Sequence, residues 1–505
     1  MARRQNVLFI LIDQLRADLL HGALADHARL PNLRLLMDEA VSFRRHYSVC
    51  NPCGPSRASI LTGQYAMNHR SVRNGTPLRH DTPNIAREAR RLGRLPLLFG
   101  YSDTSLDPRV HDPNDPALRT YEGVMPGFEE VIEMRLEQSL PWRAHLAARG
   151  YDLPDYSRFY EPQAAPGQPR RLNDPAFYWA EDSDTAFLTD AFLNNLQTRK
   201  DRPWFTHLTY IRPHPPFVAP APYNDMHDPA VLPLPEAPQT GCMDHPFLKV
   251  CARVQRAIRT VDGFDALDET PENIQALRAT YLGLAAEVDH HIGRVIGFLK
   301  DTGQYDDTLI VIGADHGEML GDFGIWGKMS VFDAAYHVPL VIRDPYQPGA
   351  HGTAVDAFTE SVDVMPTILD WLGGTPPSAV NGASLMSFLS GNSPENWRDT
   401  SYSELAFGDP VTPTAWQEEL GLTEAESSLA ILRKDNLTLT HFSGALPPIL
   451  FDHATDGERA NLAGDPSRAG DLLAMTQALL GHRMRFPDST LSKTMLTEAG
   501  PVTGS

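Results

Sequence analysis

The chain has 505 residues, of which 42% are hydrophobic and 21% charged, so it can bury a sizeable core and does not resemble a disordered or collagen-like sequence. Its 64 acidic and 44 basic residues give a formal net charge of −20. A polyanion would meet net repulsion rather than binding through counterion release, so we expect no nucleic-acid partner.

The cysteines and the amino terminus indicate the compartment. Four cysteines are too few for a disulfide framework in a chain of this length, and no second CxxC pair completes a zinc site. The first apolar run, residues 7–12, stops at Asp13 and is shorter than the core of a signal peptide or a membrane span. We therefore expect a cytoplasmic protein without a membrane partner.

Five short apolar runs without polar alternation predict strands that are buried on both faces. Helical patterns lie between them. The clearest one has Thr270 as N-cap and Pro271 in its first turn, and its apolar residues recur every three or four positions up to Gly303. This alternation predicts an α/β fold, with a mostly parallel central sheet flanked by helices. The predicted strands are residues 7–12, 97–99, 204–208, 309–312 and 340–342.

The pattern changes beyond residue 395. Before it, a helix is predicted over residues 361–372; after it, apolar runs at 429–432 and 437–442 flank a polar turn, which predicts an antiparallel hairpin. We therefore divide the chain into a catalytic α/β domain, residues 1–395, and a smaller α+β domain with an antiparallel sheet and a tail, residues 396–505.

Two predicted strands end in side chains that suit a metal ion. Asp13 follows the first strand, and Asp315 and His316 follow the strand at 309–312. Ligands of open α/β sheets bind outside the carboxyl ends of the strands, so these side chains are expected to meet there. Carboxylates and imidazole suit Mn²⁺, Ca²⁺, Mg²⁺ or Zn²⁺. The alternative is that each aspartate only caps the helix that follows it.

A third element favours the metal site. The run Cys53-Gly54-Pro55-Ser56-Arg57 predicts a loop that enters a helix at Ser56, whose positive end would stabilise a thiolate or an oxyanion near Cys53. It resembles the Cys-x-Pro-Ser-Arg signature of type I sulfatases and their relatives in the alkaline phosphatase superfamily. The resemblance implies that Cys53 is oxidised to formylglycine by a formylglycine-generating enzyme, which would be a partner of this chain. The alternative is a buried structural cysteine.

Two departures from the sulfatase pattern narrow the resemblance. Most sulfatases carry Asp-Asp after the first strand, where this chain has Asp13-Gln14, and Gly-Lys-Trp-His after a later strand, where it has Gly100-Tyr101-Ser102-Asp103. Both departures resemble the phosphonate monoester hydrolases, also described as phosphodiesterases of the sulfatase type. The run from Tyr210 to Phe217, which contains His214, is similar to that group as well. Asp103 stands where that group is expected to have threonine.

The resemblance also implies a set of roles. One divalent ion, Mn²⁺ in the first place, would be held by Asp13, Gln14, Asp315, His316 and the oxygen of residue 53. A hydroxyl of the formylglycine hydrate would attack phosphorus and expel the alcohol or phenol, which takes a proton from a general acid. The second hydroxyl would then lose its proton and expel the phosphonate or phosphate monoester as the aldehyde re-forms. His214 is the first candidate for the general acid and Lys328 the second. The residues expected to contact the substrate oxygens are Arg57, Asn74, Tyr101 and Lys328.

The sequence therefore predicts a metal-dependent hydrolase of phosphonate monoesters and phosphodiesters, with side activity on sulfate and phosphate monoesters. Two alternatives remain: an arylsulfatase, and a non-catalytic metal-binding relative that serves as a scaffold. A scaffold would not need an oxidisable cysteine at the start of a helix. The resemblance alone implies a homo-oligomer, with a tetramer as one such form.

Overall fold

The fold is built on an eight-stranded mixed sheet. The structure is a computed structural model that describes residues 5–136, 139–199, 202–239, 241–488, 491–492 and 494–503. In chain order the strands are β1 Asn6–Ile12, β2 Val41–Phe43, β3 Pro96–Gly100, β4 Glu129–Glu133, β5 Phe205–Tyr210, β6 Thr308–Ala314, β7 Leu340–Arg343 and β8 Thr353–Val355.

The order of strands across the sheet is β8-β2-β7-β6-β1-β5-β3-β4. Only β7 runs antiparallel to its two neighbours, β6 and β2. Every residue of β1, β5 and β6 is buried, as expected for central strands covered on both faces. All five predicted strands are present, with ends shifted by at most two residues. The mostly parallel α/β architecture is therefore confirmed.

Helices cover both faces of the sheet. Leu8, Ile10 and Ile12 of β1 join a core that includes Val288 of the long helix Pro271–Asp301, whereas the alternate β1 residues join a second core. The long helix begins as predicted, because the Thr270 side chain accepts a hydrogen bond from the Asn273 amide. Other helices are Asp18–His21, Pro31–Met37, Cys53–Thr62, Ala66–His69, Ile85–Arg91, Leu140–Ala148, Asp184–Gln197, Pro246–Val254, Asp333–Tyr336, Val364–Trp371, Met386–Leu389, Ala415–Leu420 and Ala469–Arg485.

A second sheet lies beyond residue 395, as predicted. Its four antiparallel strands include the expected hairpin, and it gains a fifth, parallel strand from far upstream, Cys50–Asn51. This short strand ends two residues before Cys53, so the C-terminal sheet fixes the backbone that leads to that cysteine. The four antiparallel strands are Thr400–Ala406, Ser428–Lys434, Leu437–Phe442 and Ile449–Asp452.

The helix predicted at 361–372 is a 3₁₀ turn, Ser361–Asp363, followed by the α-helix Val364–Trp371.

Across the described ranges, none of the helices combines the length and the apolar character needed to cross a bilayer.

The long helix buries one acidic side chain whose carboxyl oxygens make no hydrogen bond of normal geometry. Glu287 is fully buried, and it faces the first turn of the helix Asp184–Gln197. Burial raises the pKa of Glu287, and the nearby carboxylate of Asp184 raises it further. Ionising Glu287 therefore costs free energy in the folded state.

We expect Glu287→Gln to gain stability relative to the wild type as the pH rises. Because the pKa of Glu287 is higher in the folded than in the unfolded chain, its stabilising contribution is complete at low pH and is lost as the pH rises through the folded-state pKa. The free energy of unfolding of both proteins is measured by denaturant unfolding at pH 5 and pH 8. From pH 5 to pH 8, the difference between variant and wild type should change in favour of the variant by at least about 1 kcal/mol. Asp301→Asn, at the exposed end of the same helix, is the control. An equal difference at both pH values would contradict the prediction.

Candidate active site

Cys53 is the first residue of a buried helix. The helix starts at Cys53 rather than at Ser56, and all ten residues of Cys53–Thr62 are buried. The Gly54 amide donates a hydrogen bond to Asn74 Oδ1 at 2.9 Å. A Cβ at residue 54 would lie 3.0 Å from that oxygen and 3.3 Å from the Asp103 carbonyl oxygen, so the close approach favours glycine. Residue 53 is therefore held firmly at the positive end of a helix.

The sheet brings the predicted acidic residues to Cys53. β1 and β6 are paired in parallel up to Ile12 and Ala314, so Asp13 and Asp315 leave the sheet side by side. Ligand atoms of four buried residues, Asp13, Cys53, Asp315 and His316, all lie within 4.8 Å of one another. This is a buried candidate metal site. Neither aspartate is the N-cap of a described helix: the helix after Asp13 has Ala17 as its N-cap, and both carboxylates are paired with Arg57.

Arg57 holds the two carboxylates from the side away from Cys53. Its Nε lies 2.9 Å from Asp315 Oδ2, and its Nη2 lies 3.1 Å from Asp13 Oδ2. The Tyr101 hydroxyl also donates to Asp13 Oδ2, at 2.5 Å, and the Tyr101 ring lies 4.0 Å from the Arg57 guanidinium carbon. Arg57 and Tyr101 thus occupy the Oδ2 atoms, and both Oδ1 atoms lie 3.8 Å from His316 Nε2. Asp315 Oδ1 also accepts hydrogen bonds from the Gln14 and His316 amides.

His316 is poised as a neutral ligand. Its Nδ1 lies 3.0 Å from the Gly317 carbonyl oxygen, so Nδ1 carries the proton and Nε2 is the free nitrogen, 3.2 Å from Cys53 Sγ. Burial and the Lys328 ammonium lower the pKa of His316 well below its ordinary value. The neutral imidazole is the form that binds metal ions.

Gln14 and Lys328 meet at the same point. Lys328 Nζ donates to Gln14 Oε1 at 2.8 Å and lies 3.0 Å from Cys53 Sγ. Although burial opposes the ammonium, Cys53 and Asp13 favour it and the pKa of Lys328 is raised. The Gln14 amide nitrogen donates to Glu318, a buried residue that the sequence analysis assigned no role. Because Glu318 takes the nitrogen, the oxygen of Gln14 faces the site. The sequence signal for Glu318 was its position three residues after Asp315.

His214 lies on the loop that follows β5 and is partly exposed. Its Nδ1 lies 2.5 Å from the Pro215 carbonyl oxygen, so Nδ1 carries the proton and Nε2 is left to act. Burial and the Lys328 ammonium lower the pKa of His214 to about 4. Asn74 is also exposed, so these two side chains mark the open side of the site.

The unmodified Cys53 is not an activated thiolate, although it opens a helix. Burial raises the pKa of Cys53 well above its ordinary value, and Asp13, Asp315 and Asp103 raise it further against the opposing effect of Lys328. The expectation that the helix end would stabilise a thiolate is therefore wrong for the thiol. Burial, and after it the neighbouring carboxylates, disfavour the thiolate at this position.

Asp103 adds a third carboxyl group beside Arg57. Its Oδ2 lies 3.7 Å from Arg57 Nε, its Oδ1 has no hydrogen-bond partner, and its φ of 46° is in the left-handed region. Burial raises the pKa of Asp103 well above its ordinary value. One guanidinium thus faces three buried carboxyl groups.

Comparisons with known proteins agree with this geometry. The family model described as Sulfatase matches residues 5–374. The chain is 39% identical to the multifunctional alkaline phosphatase superfamily protein PehA of Trinickia caryophylli, over 97% of each sequence. The phosphonate monoester hydrolase SpPMH of Silicibacter pomeroyi superposes with a TM-score of 0.97 at 61% identity, over 99% of both chains. The phosphonate monoester hydrolase of Agrobacterium radiobacter superposes with a TM-score of 0.94 at 40% identity, over 99% of this chain and 100% of that one. The chain therefore belongs to the sulfatase family of the alkaline phosphatase superfamily.

Proposed function

We propose that this protein is a metal-dependent hydrolase that cleaves phosphonate monoesters and phosphodiesters through a formylglycine at residue 53. The observation that carries the proposal is the convergence of Cys53 with Asp13, Asp315 and His316 within 4.8 Å, at the ends of two paired strands. The chain-long similarity to two phosphonate monoester hydrolases supports the substrate class.

The residues present fit a divalent cation. Asp13 Oδ1 is buried and unpaired, and the imidazole of His316 is neutral, so both offer free lone pairs. Mn²⁺ suits a donor set of carboxylate, amide and imidazole, and Ca²⁺, Mg²⁺ or Zn²⁺ are alternatives. When bound, the ion would supply Lewis acidity that makes a hydroxyl of residue 53 nucleophilic at neutral pH. The residues that would hold it are Asp13, Gln14, Asp315, His316 and residue 53.

The surrounding residues fix this arrangement and bind the transferred group. Arg57 and Tyr101, which the resemblance assigned to the substrate oxygens, hold the outer oxygens of the carboxylates and orient them. Lys328, 3.0 Å from Cys53 Sγ, is placed to neutralise an oxygen of the transferred group. Asn74, beside the Gly54 amide, lines the open side of the site.

His214 is the first candidate to give a proton to the leaving oxygen, because Pro215 fixes its Nδ1 and Nε2 is free. Its pKa of about 4 in the free protein follows from burial and the Lys328 ammonium. A bound substrate anion between the two groups would raise that pKa toward the working range. Lys328, which already holds its proton, is the second candidate.

The substrate class follows from two departures from the sulfatase pattern. After Gly100 this chain has Tyr101-Ser102-Asp103 where most sulfatases have Lys-Trp-His, and Gln14 replaces a second aspartate. A sulfatase has to surround a small monoanionic group with such side chains. Without the Lys and His of that run, the site has room for a substituent on phosphorus. An arylsulfatase and a non-catalytic metal-binding scaffold are the competing functions. A formylglycine-generating enzyme as partner, a homo-oligomer and a cytoplasmic location belong to the same proposal.

The formylglycine can be tested directly. Peptide mass spectrometry on protein made together with a formylglycine-generating enzyme should show the Cys53 thiol replaced by an aldehyde. Cys53→Ala should lower kcat about 10³-fold or more, because the nucleophile is lost, with little change in thermal unfolding. Cys50→Ala is the matched control, since Cys50 is also buried but lies outside the signature. Full activity in protein that carries only unmodified Cys53 would contradict the proposal.

The metal site can be tested separately. Asp315→Asn should lose the bound ion, measured by elemental analysis, and lower kcat/KM by about 10²-fold or more. Chelation of the wild type should abolish turnover, and added Mn²⁺ should restore it. Asp306→Asn, at the exposed opposite end of β6, is the control and should keep both metal and rate. An Asp315→Asn protein with normal metal content and rate would show that the ion binds elsewhere.

Substrate preference separates the competing functions. We expect kcat/KM for an aryl phosphonate monoester or a phosphodiester to exceed that for the aryl sulfate with the same leaving group by at least about tenfold, or about 1.4 kcal/mol. Preference for the sulfate would favour the arylsulfatase, and preference for the phosphate monoester dianion would favour a phosphatase. If protein that carries both the metal ion and formylglycine turned over none of these esters, the non-catalytic scaffold would be the remaining function.

A further inference from the structure

A buried arginine lies under the loop that carries His214. Arg212 is fully buried, two residues after the end of β5. Its Nη1 donates to the carbonyl oxygens of His214, at 3.2 Å, and of Pro216, at 3.1 Å. The carbonyl between them, that of Pro215, accepts from the His214 ring at 2.5 Å. Side-chain donors therefore hold three consecutive carbonyls of this loop.

The composition of the loop explains why a side chain is needed. Prolines at 213, 215 and 216 have no amide hydrogen, so between residues 213 and 216 only His214 can donate from the backbone. That amide is used in a turn, to the Ile211 carbonyl at 2.9 Å. The Val218 amide donates to the Pro216 carbonyl at 3.0 Å, but no backbone amide among the described residues donates to the carbonyls of His214 and Pro215. Arg212 supplies the donor to the His214 carbonyl and a second donor to the Pro216 carbonyl.

Arg212 is itself held in place by a second buried charge. Its Nε lies 2.9 Å from Asp184 Oδ2, and Asp184 is the first residue of the helix Asp184–Gln197. The Thr185 amide donates to Asp184 Oδ1 at 2.7 Å, and the helix end favours a carboxylate there. A buried ion pair is no more stabilising than well-packed apolar residues of similar volume. Its value here is the fixed geometry that it gives the loop.

We propose that Arg212, oriented by Asp184, is a positioning residue that fixes the His214 backbone and so directs the imidazole Nε2 toward the leaving group. The inference rests on the proposed function, in which His214 is the general acid. Arg212 touches no reacting atom. Its contribution is the orientation of the proton donor in the transition state rather than the binding of substrate.

The leaving group provides the test. A 4-nitrophenyl group leaves without much help from an acid, whereas a phenyl group needs a proton, so loss of a well-placed general acid affects the phenyl ester more. In the metal-loaded enzyme with formylglycine, Arg212→Met should lower kcat for the phenyl ester of a phosphonate at least about tenfold more than kcat for the 4-nitrophenyl ester. KM should change less than about threefold. His214→Ala should show the same pattern, and the double variant should lose little beyond His214→Ala alone.

Further variants separate positioning from stability. Asp184→Asn keeps an acceptor oxygen but removes the ion pair. It should lower kcat less than Arg212→Met does, with the same dependence on the leaving group. If Arg212→Met fails to fold, Asp184→Asn tests the inference in its place. Arg398→Met, which removes an ion pair between the partly buried Arg398 and the buried Asp363, should lower the melting temperature but affect both esters equally. Metal and formylglycine contents are measured for every variant.

Two outcomes overturn the inference, and they can be distinguished. If His214→Ala shows the leaving-group dependence but Arg212→Met and Asp184→Asn slow both esters equally, or if the losses add, Arg212 is structural and only this inference fails. If His214→Ala itself slows both esters equally, His214 is not the general acid. The proposed role of His214 then fails, and the inference fails with it.

Discussion

The site depends on keeping several acidic groups together in a buried space. Asp13, Asp103 and Asp315 lie around one guanidinium, that of Arg57, and the Lys328 ammonium faces them from the side of Cys53. The two cations offset the mutual repulsion of these acidic groups, although burial still raises the pKa of Asp103. Arg57 is suited to this task because its planar fork reaches two carboxylates at once and keeps its charge when buried. The orientation of every other group in the site follows from this arrangement.

The fold supplies the geometry in which that balance is possible. Parallel pairing of β1 with β6 brings Asp13 beside Asp315, and the buried helix Cys53–Thr62 presents residue 53 and Arg57 one turn apart on the same face. The loop after β5 then brings His214 from a third direction, over a buried ion pair. Strands provide the acidic groups, a helix provides residue 53, the proposed nucleophile, and a loop provides His214, the proposed proton donor.

The parts of this arrangement that could be predicted are those with a local signal. Apolar runs that stop at Asp13 and Asp315 mark strand ends, and strand ends in such sheets meet at one edge. The start of the helix at Cys53 could not be predicted. Pro55 fits the first turn of a helix that begins at Cys53, but it fits equally well in a loop that ends just before Ser56. The partners of Arg57 could not be predicted either, since Asp13 and Asp315 are 44 and 258 residues away along the chain. Glu318 had a signal in its position three residues after Asp315, but its bond to Gln14 and the bonds of Arg212 to the loop are seen only in the three-dimensional contacts.

The strand Cys50–Asn51 has a consequence for the order of events during synthesis. Its partner, Thr400–Ala406, emerges from the ribosome about 350 residues later. At typical elongation rates this interval lasts roughly 20 to 70 seconds. Throughout it, the backbone just ahead of Cys53 cannot take its final place in a sheet. The proposed formylglycine-generating enzyme would therefore have this interval in which to reach Cys53 before the C-terminal sheet is complete.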